Sequence, residues 1–139
     1  MDQFEVLDVL ECLRLLDGAF VGRVVFTDQM LPAVQPVYFV LDGDAVVIRT
    51  GLDSDLARSV RNAVVALEVD DIDLQRWHGW CVNVVGRADL VTDAYEIARL
   101  SQLPLPIDTG RDEHQFVRIP MTLLSGQRLV RNSADVAQE

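Results

Sequence analysis

Apolar residues Val6, Leu7, Val9, Leu10, Leu13 and Leu16 recur at helical spacing, so residues 4–17 read as one amphipathic helix. Gly18 follows where a helix C-cap glycine is expected. The period then shortens to that of strands. β-branched and aromatic residues crowd 20–27, and Asp28-Gln29-Met30 reads as a turn. A second strand over 33–41 contains Pro36, which predicts either a bulge or backbone that faces something other than a neighbouring strand. Asp42-Gly43-Asp44 is a hairpin signal leading into a strand at 45–50. Ser54 is a good N-cap for a short helix over 55–62, with Asp55 favourable in its first turn.

Strand chemistry returns at 63–69, and Asp70-Asp71-Ile72-Asp73 then reads as a solvated acidic loop between strands. The longest strand, 80–91, places Trp80, Val82, Val84, Gly86, Ala88 and Leu90 on one face and Cys81, Asn83, Val85, Arg87 and Asp89 on the other. Asp93-Ala94-Tyr95-Glu96 has capping-box spacing and opens a helix to residue 102, stopped by Pro104 and Pro106. Two last strands are expected at 114–119 and 122–130, before a polar tail, 132–139, with little to bury. The pattern is mainly β: six to seven short antiparallel strands with a few peripheral helices, as in a small barrel.

Composition narrows the function. The 139 residues suit one domain, 1–131, ahead of the frayed tail. Twenty-two acids oppose 12 basic residues, every one of them arginine, for a formal charge of −10. Without lysine there is no Schiff base, no Walker-type phosphate lysine and no lysine general base. The acidity argues against nucleic acid and against an anionic membrane as partners. The N-terminus is acidic where a signal peptide would be basic, and no apolar run approaches a membrane span. Cys12 and Cys81 lie in apolar surroundings without CxxC spacing, so free thiols and a reducing, cytoplasmic compartment are expected.

Candidate chemistry is sparse. GxGxxG, P-loop, GxSxG and HExxH signatures are absent. His78 with Cys81 falls short of a zinc ligand set, so no metal is expected. Arg49-Thr50-Gly51-Leu52-Asp53-Ser54 joins a strand end to a helix start, and offers a guanidinium and two hydroxyls to a phosphate or simply connects two elements. Arg58 and Arg61 lie one and two turns on and add positive potential. Asn83 and Arg87 either bond a planar polar ligand or form the solvent face of a strand. Trp77 and Trp80 flank His78-Gly79 as core plugs, dimer contacts or stacking platforms.

Taken in order, Glu11-Cys12-Leu13-Arg14-Leu15-Leu16, Val21-Gly22-Arg23-Val24, Pro36-Val37-Tyr38-Phe39, Arg49-Thr50 with Ser54 and Leu56, Ala66-Leu67-Glu68-Val69-Asp70, Gly79 to Ala88 and Val117-Arg118-Ile119-Pro120 resemble the pyridoxamine 5′-phosphate oxidase-like flavin-binding split β-barrel family, over roughly residues 5–130. The resemblance implies a split antiparallel barrel, a homodimer and FMN in clefts between subunits. It implies that Pro36, Val37 and Tyr38 lie along the isoalloxazine through backbone groups, and that Arg49, Thr50 and Ser54 hold the ribityl phosphate. Trp80 and Asn83 would border the cleft. Where the family typically carries lysine after the serine, this chain has Asp55, a like charge beside the phosphate that Arg58 would offset. Tyr38 stands where asparagine is frequent, and the arginine-rich C-terminal signature of the vitamin B6 oxidase is missing. The implied activity is therefore an FMN-dependent oxidoreductase passing hydride or electrons from a reduced nicotinamide or other donor to a small molecule, rather than vitamin B6 oxidation. A non-catalytic binding or sensing dimer is the alternative. It would hold a deazaflavin, haem through His78 or His114, or nothing in a degenerate cleft.

Overall fold

The computed structural model describes residues 3–105 and 114–130, so the expected helix stop at Pro106 and the 132–139 tail lie outside the described residues. Eight strands and three helices follow one another as β1 (Gln3–Val6), α1 (Val9–Asp17), β2 (Val21–Asp28), β3 (Leu31–Asp42), β4 (Ala45–Gly51), α2 (Asp55–Ser59), β5 (Ala63–Asp73), β6 (His78–Leu90), α3 (Ala94–Leu100), β7 (His114–Pro120) and β8 (Leu123–Val130).

Two expectations change. The apolar stripe over 4–17 splits, because Asp8 caps α1 by accepting the Glu11 N–H at 2.8 Å and the residues before it pair with β8. Phe4 and Val6 are exposed, so their apolar character serves no helix face. Gly18 does occupy the C-cap, but at φ −88 it makes no use of the left-handed region. The acidic segment 70–73 is strand, not loop. β5 keeps unbroken register with β6 as far as Asp73 opposite His78, since solvated side chains leave the backbone ladder intact.

All ladders are antiparallel. Pairing runs β6–β5–β2–β3–β4–β7 and returns to β6, closing a ring of six strands, while β8 and β1 extend from β6 as a flange. β6 is therefore split between two neighbours: residues 79–85 pair with β8, and 89–90 with β7. Between them stands Gly86, where a Cβ would overlap the Pro120 carbonyl oxygen at the β7–β8 corner. Hairpin chemistry follows the residues expected of it. Asp42 opposes Ala45 across Gly43, which takes φ +61, and Gln29-Met30 turn with φ 50 and 69.

Inside the ring, Phe39, Ile48, Leu67, Val82, Val84 and Val117 form the core with Leu56 of α2, its C-cap residue Val60, and Cys12 and Leu16 of α1. Outside it, Val47 and Phe116 lie beneath Leu100 and Leu105. The α3 side is held by charge as well. Arg99 grips Asp42 in bidentate fashion at 2.9 and 2.8 Å, and Arg118 reaches both Asp42 (3.0 Å) and Glu96 (3.1 Å). The two guanidiniums hold the Asp42 carboxyl at about 2, below its ordinary 3.8.

A carboxylate with a depressed folded-state pKa contributes stability above its ordinary pKa and loses it as pH falls through the folded value. Asp42→Asn is therefore expected to lower the Tm at pH 7, with the gap to wild type shrinking as pH falls from 4 toward 2. Thermal melts across that range check it.

Candidate functional site

The loop after β4 gathers the hydroxyls expected to meet a phosphate. Thr50 is buried, and its Oγ1 lies 2.8 Å from Ser54 Oγ. Ser54 also accepts the Ala57 N–H at 3.0 Å as the N-cap of α2, so one side chain fixes both the loop and the helix start. Leu56 and Val60 then anchor α2 in the core. Asp55 is not an unopposed charge. It pairs with the Arg58 guanidinium, which also donates to the Asp53 carbonyl at 2.6 Å.

Strand alternation sends Arg49 to the face opposite Thr50. Its guanidinium carbon sits 5.6 Å from the centre of the Phe116 ring, its cross-strand partner. Its Nε is buried and has no hydrogen-bond partner among the described residues. A buried donor without an acceptor is costly, so this atom fits an anionic group brought to the strand end.

β3 supplies a second component. Its register with β2 is continuous from Val21 opposite Tyr38 to Asp28 opposite Leu31, without a bulge. Phe39 N–H donates to Phe20 O at 3.0 Å, and alternate residues share that direction. Val37 therefore faces β2, whereas Pro36 and Tyr38 turn their backbone away from it. Residues 31–38 have no strand on that second edge among the described residues. Pro36 thus withholds an N–H from an open edge, and Tyr38 presents its N–H and C=O there. The Val37 side chain lies in the core, and the Tyr38 ring is half exposed.

Trp80 and Asn83 are not brought together, because they lie on opposite faces of β6. Trp80 packs against the core and lines an open cleft of about 440 Å³ with Asp71, Asp73, His78, Gly79 and Arg128. Asn83 belongs to the outer sheet face, in a network with Cys81, Glu68, Asp70 and Arg23. Arg23 binds Glu68 and Asp70, each at 2.7 Å; Cys81 Sγ donates to Glu68 at 3.4 Å, and Asn83 Nδ2 donates to that sulfur at 3.8 Å. Burial first, then the neighbouring carboxylate of Glu68, pushes the Cys81 thiol up to about 11. Both cysteines are free, as their surroundings predicted. Arg87 donates to the Asn62 carbonyl at 2.6 Å.

One polar residue escaped the sequence reading. Gln115 stands opposite Thr50 on β7, and its Oε1 is buried without a hydrogen-bond partner among the described residues. Its position two residues before Val117, on the inward face of β7, is the signal that marks it.

A ring of antiparallel strands closed through a divided β6, with a capped helix beside a strand-end hydroxyl pair, defines a split β-barrel. The chain belongs to the pyridoxamine 5′-phosphate oxidase family, whose model matches residues 8–128. An uncharacterised protein of Mycobacterium tuberculosis is 40% identical over 134 residues, 91% of this chain and 86% of that protein. Among solved structures, an FAD-binding protein of Mycobacterium smegmatis superposes with TM-score 0.77 at 29% identity, covering 91% of this chain and 98% of its own. A Corynebacterium diphtheriae protein of unknown function superposes with TM-score 0.79 at 30% identity, covering 91% and 98%. Among the described residues no helix is long and apolar enough to cross a membrane.

A thiol raised to about 11 stays protonated at neutral pH. Alkylation of Cys81 by iodoacetamide is expected to remain slow through pH 8 to 9 and to accelerate toward pH 11. Mass spectrometry of pulse-labelled native protein measures it.

Proposed function

We propose that this chain binds FMN at the β4–α2 loop and acts as a dimeric flavin-dependent oxidoreductase, passing hydride or electrons between a reduced nicotinamide or other donor and a small-molecule acceptor. The observation that carries the reading is the Thr50–Ser54 hydroxyl pair at the end of β4, with the buried, unpartnered Arg49 Nε on the opposite face of the same strand. Two hydroxyls meet on one face of that strand end, and a guanidinium stands at the same end on the other. The Mycobacterium smegmatis relative, which binds FAD, supports a flavin.

Bound flavin supplies a hydride acceptor at N5 and one- or two-electron transfer. The chain contributes binding and orientation. Of the Thr50 and Ser54 hydroxyl protons, the one not spent between the two donates to the phosphate, Arg49 adds positive charge from the other face of the strand end, and the open edge of β3 offers the Tyr38 N–H and C=O and the Pro36 C=O to the ring.

A second copy completes the cleft in this reading. An apolar row, Val34–Val25–Ala66–Val85–Leu123, crosses five strands on the outer face at matched register. Val34 and Leu123 are exposed, at 62% and 64%. Beside it runs the row Pro36–Arg23–Glu68–Asn83–Ser125, whose charges are already paired within the chain. Apolar surface of that continuity suits a partner protein surface better than water.

The test is titration of the purified protein with FMN, riboflavin and FAD, followed by flavin fluorescence. Wild type is expected to quench FMN. Thr50→Val should weaken FMN about tenfold or more, the scale of a hydrogen bond to a charged group, and riboflavin, which lacks the phosphate, about twofold at most. Asp55→Lys should tighten FMN about three- to tenfold at low salt and less at high salt, because it removes a like charge and releases Arg58. Unchanged FMN fluorescence would sink the flavin reading, and FAD quenching in preference to FMN would correct the cofactor.

A further inference from the structure

Gln115 carries a buried amide oxygen that no contact among the described residues explains. It sits on β7 directly opposite Thr50, so the two side chains share a face and their Cβ atoms lie about 4.5–5.5 Å apart. One step further along the same face, Ile48 opposite Val117 belongs to the core, so the amide stands at the edge of apolar packing. Its Oε1 is shielded from solvent and accepts no hydrogen bond among the described residues. The cross-strand neighbour makes no hydrogen bond to it, and Thr50 Oγ1 lies instead against Ser54 Oγ. A carbonyl oxygen in that position calls for a donor from outside the chain.

The donor's chemistry is constrained by place. A phosphate at the Thr50–Ser54 pair is chiefly an acceptor at neutral pH, so it cannot satisfy a carbonyl oxygen. The next groups along FMN, within reach of a residue one strand across from Thr50, are the hydroxyls of the ribityl chain, and hydroxyls donate. The N3–H of the ring lies at the far end of the molecule from the phosphate.

We propose that Gln115 is a cofactor-binding residue whose Oε1 accepts a hydrogen bond from a ribityl hydroxyl. The proposal rests on the flavin reading above and adds to it the recognition of the sugar-alcohol chain, separate from phosphate and ring.

The experiment compares wild type, Gln115→Met and Gln115→Asn in fluorescence titrations with FMN, riboflavin and lumiflavin, which lacks the ribityl chain. Both variants are expected to weaken FMN and riboflavin about three- to tenfold, the range of one hydrogen bond, while lumiflavin affinity stays within about twofold. The Tm of flavin-free Gln115→Met should equal or exceed that of wild type, because an unpaired buried oxygen has been removed; a purely structural amide would lower it. Equal losses for lumiflavin, or unchanged FMN affinity in the variants, would overturn the proposal. A wild-type chain that binds no flavin overturns the reading beneath it as well. Two substitutions of different size keep the test valid if one fails to fold.

Discussion

One strand has to serve three neighbours. β6 runs beside β5 from His78 to Ala88, gives its first half to β8 and its last residues to β7. A flat strand cannot do that. The change of partner falls at Gly86, where the backbone of the β7–β8 corner presses so closely that no side chain fits. Ring closure, the flange that seats α1, and the register that sets Arg118 against Asp89 all follow from that crossing. It also decides orientation. Because β6 is continuous, its two faces stay distinct from end to end, with Trp80, Val82 and Val84 inward and Cys81, Asn83 and Val85 outward.

The candidate site depends on the ring only at second hand. β4 lies between β3 and β7, and its last residues emerge where α2 begins. Ser54 spends one oxygen on two tasks, capping α2 and meeting Thr50, which makes the hydroxyl pair as rigid as the helix start. The Asp55–Arg58 pair is of another kind. Both side chains are mostly exposed, so it is a weak, salt-sensitive contact that leaves the loop's charge adjustable.

How much was legible in the chain divides along the range of the interaction. Caps and turns were readable because their chemistry is local: Asp93 accepts the Glu96 N–H at 3.0 Å as the capping-box spacing implied, and Gly43 turns where expected. Pro36 announced a strand with one free edge. Features built across distant segments were not readable. β1 exists only because β8 is there to pair with it, more than a hundred residues later. Residues 70–73 look like a loop until β6 supplies their partner, and Gln115 gains meaning only opposite Thr50. Adjacent Arg49 and Thr50 read as one unit in sequence, yet strand geometry places them on opposite faces.

The prolines of β3 have a consequence beyond any ligand. Pro32 and Pro36 are four residues apart, so both aim their nitrogen at the same unpaired edge. An incoming strand would meet gaps where it needs donors, and could not build a regular ladder there. Edge-to-edge growth into ribbons is thereby discouraged along a stretch where the ring leaves backbone uncovered among the described residues. The apolar row of the sheet face carries no such block, and in the proposed dimer a contact through it closes after two copies instead of propagating.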